Sequence, residues 1–247
     1  MTPEIAHIWR HPIKSHGREA LERVTVTEGT SLPWDRTWAV VHEASKTDGA
    51  GWAPCANFSR GAKAPALMAI SAQLDETAES LTLTHPDRPD LTFRPDAEGA
   101  AFLDWVAPLM PADRAASTGL VRIAGRGMTD TDYPSISLGG LASVRALSGK
   151  FGRALDPRRF RINFWVEGLA PWEEFEWVGR EITIGGVRFR VEDRITRCRA
   201  TTANPDTGRI DADTLAALED GWGHRDLGVY LVAIGSGDVA LGDRVAA

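Results

Sequence analysis

Hydrophobic and polar positions alternate with a period of two along much of the first hundred residues, which is typical of half-buried strands. The stretch LERVTVTEG places Val24 and Val26 between polar neighbours. Further along, SLTLTH and DLTFRP flank a short segment rich in proline and aspartate, as the two arms of a hairpin would. We therefore predict an antiparallel β-domain over residues 1–98.

The hydrophobic period changes after residue 98. Phe102, Trp105, Val106 and Leu109 follow one another at spacings of three, four and seven from the first, which places them on one face of an amphipathic helix. We predict that a second domain begins with this helix and covers residues 99–247.

The second domain contains the clearest hairpin of the chain, in REITIGGVRFRVED. Gly185 and Gly186 can supply the positive φ angles of a two-residue turn, and the second arm runs directly towards Cys198. A strand leading into a helix is predicted in ISLGGLASVRALSG, a further helix in DADTLAAL, and two strands in LGVYLVAIGSGDVAL. Strands outnumber helices without βαβ alternation, which predicts a mostly β fold with some α (α+β) and barrel-like sheets in both domains.

The charge balance narrows the classes of partner. Twenty-eight basic and thirty-four acidic residues give a formal charge of -6, so no overall field draws the protein to nucleic acid or to a membrane. The start of the chain lacks the pattern of a secretory signal, and no apolar run approaches the roughly 18 residues of a membrane span. We therefore expect a cytoplasmic protein whose anion sites are local.

Cys198 is one of only two cysteines and lies between Arg197 and Arg199. Nearby cations favour thiolate over thiol, and a thiolate is the ligand that a soft metal selects. In an extended segment the arginines would face away from the sulfur, whereas in a loop they could converge on it. The alternative interpretation is a small buried residue without chemistry. Cys55 is interpreted in that second way.

Other polar residues recur in short motifs elsewhere in the chain. The motif HPIKS contains Lys14 and Ser15, WDRTW contains Arg36, and RFRINF contains Arg161 and Asn163. The planar fork of arginine matches phosphate in bidentate geometry. A thiolate together with dispersed anion-binding groups suits a cofactor that carries both a phosphate and a soft metal.

The same motifs resemble a known family. HPIKS and DRTW are similar to the signature of the N-terminal β-barrel domain that accompanies MOSC domains. DYP, RFRINFWVEG, TRCRATTANPDTG and ALGDRV resemble, in order, landmarks of the MOSC domain itself. The resemblance covers essentially the whole chain and is closest to bacterial MOSC proteins and the mitochondrial amidoxime-reducing component. Those proteins bind molybdenum cofactor and reduce N-hydroxylated compounds.

The resemblance implies a site between the two domains for molybdenum cofactor (Mo-molybdopterin). Cys198 would be the protein thiolate on molybdenum and part of the catalytic centre. His11 stands where the family usually has an aromatic residue. The positions that match cofactor-binding residues are Lys14, Ser15, Arg36, Asp132, Ser137, Arg161, Asn163, Thr196 and Arg197.

The implied function is that of a molybdenum-dependent oxidoreductase acting on small N-hydroxylated or N-oxide substrates. Two cysteines cannot hold an iron-sulfur cluster and no flavin fingerprint is present, so a separate flavoprotein or iron-sulfur reductase is expected to deliver electrons. One alternative is a molybdenum cofactor carrier or sulfur-transfer protein with Cys198 as a persulfide-bearing thiol. Another is a binding module for a phosphorylated ligand, with Cys198 merely buried.

Overall fold

The structure, a computed structural model, describes residues 2–123 and 125–247. Strands predominate in these ranges, which confirms the predicted mostly β fold with some α. The α-helices are α1 (Gly99–Val106), α2 (Leu141–Phe151) and α3 (Thr214–Trp222). The strands are β1 (Glu4–Arg10), β2 (Glu19–Leu21), β3 (Arg23–Val26), β4 (Trp38–His42), β5 (Ser71–Asp75), β6 (Ser80–His85), β7 (Arg88–Phe93), β8 (Ser117–Arg122), β9 (Ile136–Gly140), β10 (Phe164–Glu167), β11 (Glu181–Ile184), β12 (Val187–Thr196), β13 (Asp226–Ala233), β14 (Gly237–Ala240) and β15 (Val245–Ala246).

An eight-stranded sheet in the order β15-β11-β12-β13-β9-β10-β1-β2 forms the larger part of the molecule. Glu4 of β1 forms a bridge with Arg244 beside β15. The Ile5 amide donates to the Asp243 carbonyl at 2.9 Å, and the Gly242 amide donates to the Ile5 carbonyl at 2.8 Å. These bonds join β1, next to one end of the strand order, to the chain beside β15 at the other end, so the sheet closes into a barrel around an apolar core.

A smaller sheet in the order β5-β6-β7 lies in the first half of the chain. Leu81 pairs with Phe93 and Leu83 with Leu91, which confirms the hairpin predicted from alternation. Helix α1 contacts β7 and β8, and it buries the apolar face predicted from its spacing. A second apolar core results, separate from that of the barrel.

The elements of the two halves of the chain are interleaved. Strands β1 and β2 join the barrel, and β3 pairs with β14. Conversely, β8 pairs with β4. The division into residues 1–98 and 99–247 stays a prediction.

The predicted hairpin of the barrel is confirmed and leads to Cys198. Gly185 and Gly186 have φ angles of 55° and 88°, which a two-residue turn between β11 and β12 requires. Strand β12 then runs to Thr196, so the thiol is two residues beyond the end of a long, paired strand. Over the described residues, no helix has the length and apolar character needed to cross a membrane.

Candidate functional site

A cavity of about 270 Å³ lies between the barrel and the loops formed by the first 62 residues of the chain. Its walls come from seven separate parts of the chain, so the fold alone brings these residues together. The predicted residues that line it are Lys14, Ser15, Arg36, Ser137, Arg161, Asn163, Thr196, Arg197 and Cys198.

The structure does not bring Asp132 into this cavity. Asp132 is exposed, and its carbonyl accepts a hydrogen bond from Arg126 Nη1 at 2.7 Å. Asp130, two residues earlier, lines the cavity instead. The segment between them is irregular, so a shift of two positions exchanges a cavity residue for a surface residue.

Lys14 is buried at the cavity wall with 4% of its surface exposed. Its Nζ donates to the Met128 carbonyl at 2.9 Å and pairs with the Asp130 carboxylate. Desolvation by the cavity walls opposes ionisation of Asp130, but the charges of Lys14 and Arg36 outweigh it and lower the pKa of Asp130 to about 2. Asp130 is thus an anion that fixes Lys14.

Arg36 is held by a buried carboxylate. Its Nη1 pairs with Asp35, and its Nη2 donates to the Arg161 carbonyl at 2.9 Å. Asp35 in turn accepts from the His11 amide at 2.7 Å. Burial opposes the charge of Arg36, yet Asp35 and Asp130 leave its pKa raised.

The ring of His11 also faces the Asp35 carboxylate, with 3.3 Å between Nδ1 and Oδ1. Burial, together with the charge of Arg161, lowers the pKa of His11 to about 3. The ring is therefore neutral at pH 7, and in that state its Nδ1–H is the atom that can donate to Asp35. His11 thus provides a buried hydrogen bond that helps to hold the Asp35 carboxylate in place.

Arg161 donates only to backbone carbonyls in the described contacts. Its Nη1 lies 3.0 Å from the Gly17 oxygen, and its Nη2 lies 3.4 Å from the Ile13 oxygen. Burial, with the charges of Arg36 and Arg18 added, lowers the pKa of Arg161 to about 9. A nearby anion would relieve this destabilisation of the cation.

Arg197 approaches the cavity from the other side. Its Nε donates to the Leu227 carbonyl at 2.7 Å and its Nη1 to the Phe160 carbonyl at 3.0 Å. Burial lowers its pKa to about 10. We refer to Lys14, Arg36, Arg161 and Arg197 together as the cationic wall.

Asn163 and Ser137 connect the strands behind the wall. Asn163 Oδ1 accepts from the Ser137 amide at 3.0 Å and from Ser137 Oγ at 2.8 Å. Asn163 Nδ2 donates to the Trp9 carbonyl at 3.0 Å. These bonds tie β9, β10 and β1 together, so both side chains have structural partners as well as a place on the cavity surface.

Three of the residues that line the cavity have left-handed backbones although they are not glycine. The φ angles are 64° at Ser15, 52° at Arg36 and 52° at Arg161. Such a conformation costs on the order of 1 kcal/mol for a side chain other than glycine. The strain is concentrated where the wall is built.

Cys198 lies at the mouth of the cavity and is exposed. Its backbone is extended, with φ -109° and ψ 173°, yet both Cys198 and Arg197 line the cavity. Thr196 also lines it and donates from Oγ1 to Asp226 Oδ1 at 2.7 Å. Arg199 is exposed and is not part of the lining, so only one of the two flanking arginines reaches the cavity near the sulfur.

The cavity also contains residues that the motifs did not single out. Arg159 has 1% of its surface exposed and donates from Nη1 to the Thr201 carbonyl at 3.0 Å. Its neighbour Arg158 pairs with Asp156 and Asp206 instead. A run of adjacent arginines does not reveal which one points inwards. The remaining unpredicted polar residues of the lining include Cys55, Arg60, Thr129, Asp130, Ser135, Thr201 and Tyr230.

The charge of the lining is strongly unbalanced. Six cations and one carboxylate, that of Asp130, face the cavity. Such a surface binds an anion, because arginine and lysine donors then meet acceptor oxygens. Within the described ranges, Lys14, Arg36 and Arg159 pair with carboxylates, whereas Arg60, Arg161 and Arg197 do not.

The chain matches two family models, which together cover most of its length. The MOSC N-terminal beta barrel domain matches residues 2–116, and the MOSC domain matches residues 132–246. The YuaD protein from Bacillus subtilis has a related fold, with a TM-score of 0.50 at 13% sequence identity over 99% of this chain and 94% of that chain.

Two kinds of relative are similar in sequence. Mitochondrial amidoxime-reducing component 1 of Mus musculus is 23% identical over 242 residues, or 84% of this chain and 67% of the relative. Molybdenum cofactor sulfurase of Anopheles gambiae is 37% identical over 78 residues, or 31% of this chain. The match spans only 10% of the sulfurase's length. The chain belongs to the family of proteins in which a MOSC N-terminal beta barrel domain precedes a MOSC domain.

Proposed function

We propose that the cavity binds molybdenum cofactor and that the protein is a molybdenum-dependent oxidoreductase for N-hydroxylated or N-oxide substrates. The observation that carries this proposal is one cavity lined by the four residues of the cationic wall, by the Asp130 carboxylate and by the thiol of Cys198. A ligand that fits must combine anionic oxygens with a group that accepts a thiolate. A phosphorylated cofactor with a soft metal has both.

The residues present fit such a group. The cationic wall supplies the donors for phosphate and other acceptor oxygens, and two of its members, Arg161 and Arg197, have no carboxylate partner in the described contacts. Cys198 would be the protein ligand of the metal. Lys14 and Arg36 are held in place by Asp130 and Asp35, so the wall is formed before the ligand arrives, which lowers the cost of binding.

When bound, the cofactor would supply the two-electron redox chemistry, and the protein residues would supply orientation and electrostatics. In the overall reaction the N–O bond of an N-hydroxylated substrate breaks and its oxygen leaves as water. Two electrons and two protons balance the reaction. A separate reductase is the proposed source of the electrons, because the chain has only two cysteines.

The similarity to mitochondrial amidoxime-reducing component 1, over 84% of this chain, supports the oxidoreductase proposal. The shorter similarity to molybdenum cofactor sulfurase favours a second candidate, namely a carrier or sulfur-transfer protein that binds the cofactor without its own redox turnover. In that function Cys198 would bear a persulfide.

Molybdenum content tests the part that both candidates share. Protein made in a host that synthesises the cofactor is expected to contain molybdenum, and Cys198→Ser to lose most of it, because altering a metal site typically lowers affinity about 10- to 100-fold. Cys55→Ser is the matched control, which removes the other thiol of the cavity and is expected to keep the metal. Equally low molybdenum in all three proteins would refute the metal site.

Turnover separates the two candidates. Molybdenum-loaded protein is supplied with an artificial electron donor and benzamidoxime, and formation of benzamidine is measured by chromatography. The oxidoreductase proposal predicts benzamidine in proportion to the molybdenum content. Full molybdenum occupancy without any benzamidine would refute the oxidoreductase proposal and favour the carrier function.

A further inference from the structure

Arg60 differs from the other cations of the cavity in the hydrogen-bond partner of its side chain. Its Nη1 donates to Cys55 Sγ at 3.0 Å, which is its one side-chain hydrogen bond in the described structure. Arg161 and Arg197 each donate to two backbone carbonyls, whereas the Arg60 side chain donates to a single sulfur. Because a guanidinium has five N–H donors, most of those of Arg60 remain available to a ligand.

Arg60 also lies on the side of the cavity nearest to the residues that follow the thiol. Arg60 and Ala62 line the cavity together with Ala200 and Thr201. Between them, a side-chain carbon placed on Gly61 would lie 3.5 Å from Ala200 Cβ. We refer to residues 55–62 as the rim segment, and it packs against the turn that begins at Cys198.

Exposure distinguishes Arg60 from the buried lysine of the wall. Arg60 is partly exposed at the rim, whereas Lys14 is 4% exposed. The wall arginines are also partly exposed, but each is held by at least two side-chain hydrogen bonds. A group that must stay bound through many turnovers is best served by buried, fixed donors, and a group that enters and leaves is best served by accessible ones. The rim segment therefore has the position and the free donors of a substrate contact.

We propose that Arg60 recognises a carboxylate on the substrate and that Cys55 positions its guanidinium. The preferred substrates are then N-hydroxylated compounds that also carry an acidic group. This inference rests on the proposed function and specifies its substrate class. Arginine binds a carboxylate through two parallel N–H···O bonds, and one bond to Cys55 leaves enough donors for that geometry.

The test compares two substrates that differ only by a carboxylate, benzamidoxime and 4-carboxybenzamidoxime. In molybdenum-loaded wild type we expect the carboxylated compound to have a kcat/KM about tenfold higher, since a charge-assisted pair of hydrogen bonds contributes on that order. Arg60→Gln should lose this preference, so that the kcat/KM values of the two compounds differ by less than about twofold. Arg209→Gln, an exposed arginine outside the cavity lining, is the matched control and should retain the preference.

A second measurement does not depend on turnover. Calorimetric titration compares binding of the products, 4-carboxybenzamidine and benzamidine, to wild type and to Arg60→Gln. The carboxylated product should bind wild type about tenfold more tightly, and the difference should vanish in the variant. Cys55→Ala should lower the preference about threefold, because the guanidinium loses its one fixed contact.

The outcomes separate this inference from the proposed function. Equal kinetics for the two substrates in active wild type would overturn the role of Arg60 alone. A large loss of molybdenum in Arg60→Gln would also overturn it, because Arg60 would then bind the cofactor. Absence of molybdenum or of any reduction in wild type would refute the proposed function, and the titration would then decide independently whether the rim binds carboxylates.

Discussion

The cationic wall and the rim segment face the same cavity, but they present their charges in opposite ways. Arg36 is fixed by Asp35 and by the Arg161 carbonyl, and both arginines have left-handed backbones. In the rim, Arg60 has one contact to a sulfur, and no residue from 55 to 62 has a positive φ. The wall is thus fixed before any ligand binds, while the Arg60 side chain in the rim is held by a single bond.

This difference indicates how one cavity could hold a permanently bound cofactor and also bind a substrate that enters and leaves. A fixed donor loses little entropy on binding and therefore gives high affinity, but it requires strain and buried charge in the empty protein. A loosely held donor needs no such strain in the empty protein, but it loses more entropy on binding and therefore gives lower affinity. The following three predictions test this contrast, beginning with the largest expected effect.

Replacement of Asp35 by alanine should cause the largest loss of stability. Arg36 would lose its buried counter-ion and the His11 amide its acceptor, and breaking such a pair typically costs about 3–5 kcal/mol. Urea unfolding of the cofactor-free protein at pH 7 measures the effect. Asp130→Ala, which removes the partner of Lys14 in the same wall, is the comparison and should cost less than Asp35→Ala, because the Asp130 side chain is 59% exposed.

The pH dependence of the stability difference between wild type and Asp35→Ala gives a second check. Burial alone would raise the pKa of Asp35, but Arg36 and His11 lower it overall. A depressed pKa contributes stability above the pKa of an unfolded aspartate, about 4, and the contribution is lost as pH falls below it. The gap between wild type and Asp35→Ala should therefore narrow in acid. A gap that stayed constant would mean that packing, rather than charge, explains the loss.

Replacement of Arg161 by glutamine should have a smaller effect on stability and a larger one on the ligand. The variant loses donors to the Gly17 and Ile13 carbonyls but also removes repulsion with Arg36 and Arg18, so we expect a change within about 1 kcal/mol. Molybdenum content should fall about tenfold, as for loss of a supporting partner. Severe destabilisation with unchanged molybdenum would show that Arg161 is a structural residue.

Replacement of Ser15 by glycine should produce the smallest effect, and a stabilising one. Ser15 has a φ of 64°, where glycine is unstrained, although glycine also makes the unfolded chain more flexible. We expect a net gain below about 1 kcal/mol in urea unfolding. Ala56→Gly in the rim segment, at an exposed position where φ is not positive, is the comparison and should destabilise.

Local patterns were sufficient for much of the fold. The Gly185-Gly186 turn and the pairing of Leu81 with Phe93 depend on residues close in sequence, and both were predictable. The insertion of β1 between β10 and β2 was not, because pairing between distant strands leaves no periodic trace. That insertion places the first two strands of the chain in the same sheet as strands from its second half.

The residues of the site also fall into two groups: those that short sequence motifs predict and those that only the packing of the fold places in the cavity. Lys14, Arg36 and Cys198 belong to recognisable motifs and reach one cavity. Arg60 and Cys55 lie in a segment without a recognised motif, and only the fold places them opposite the Cys198 turn. Cys55 is half-buried and bonded to a guanidinium, which differs from the small buried residue expected from sequence.

The closure of the barrel by Glu4 and Arg244 has a consequence for how the protein folds. The two residues are far apart in sequence, so this side of β1 can pair only after a long loop of chain has closed. Until then, the exposed backbone of β1 offers hydrogen bonds to any other strand, and such open edges promote aggregation. Production of this protein should therefore respond strongly to chaperone supply and to slower translation at low temperature.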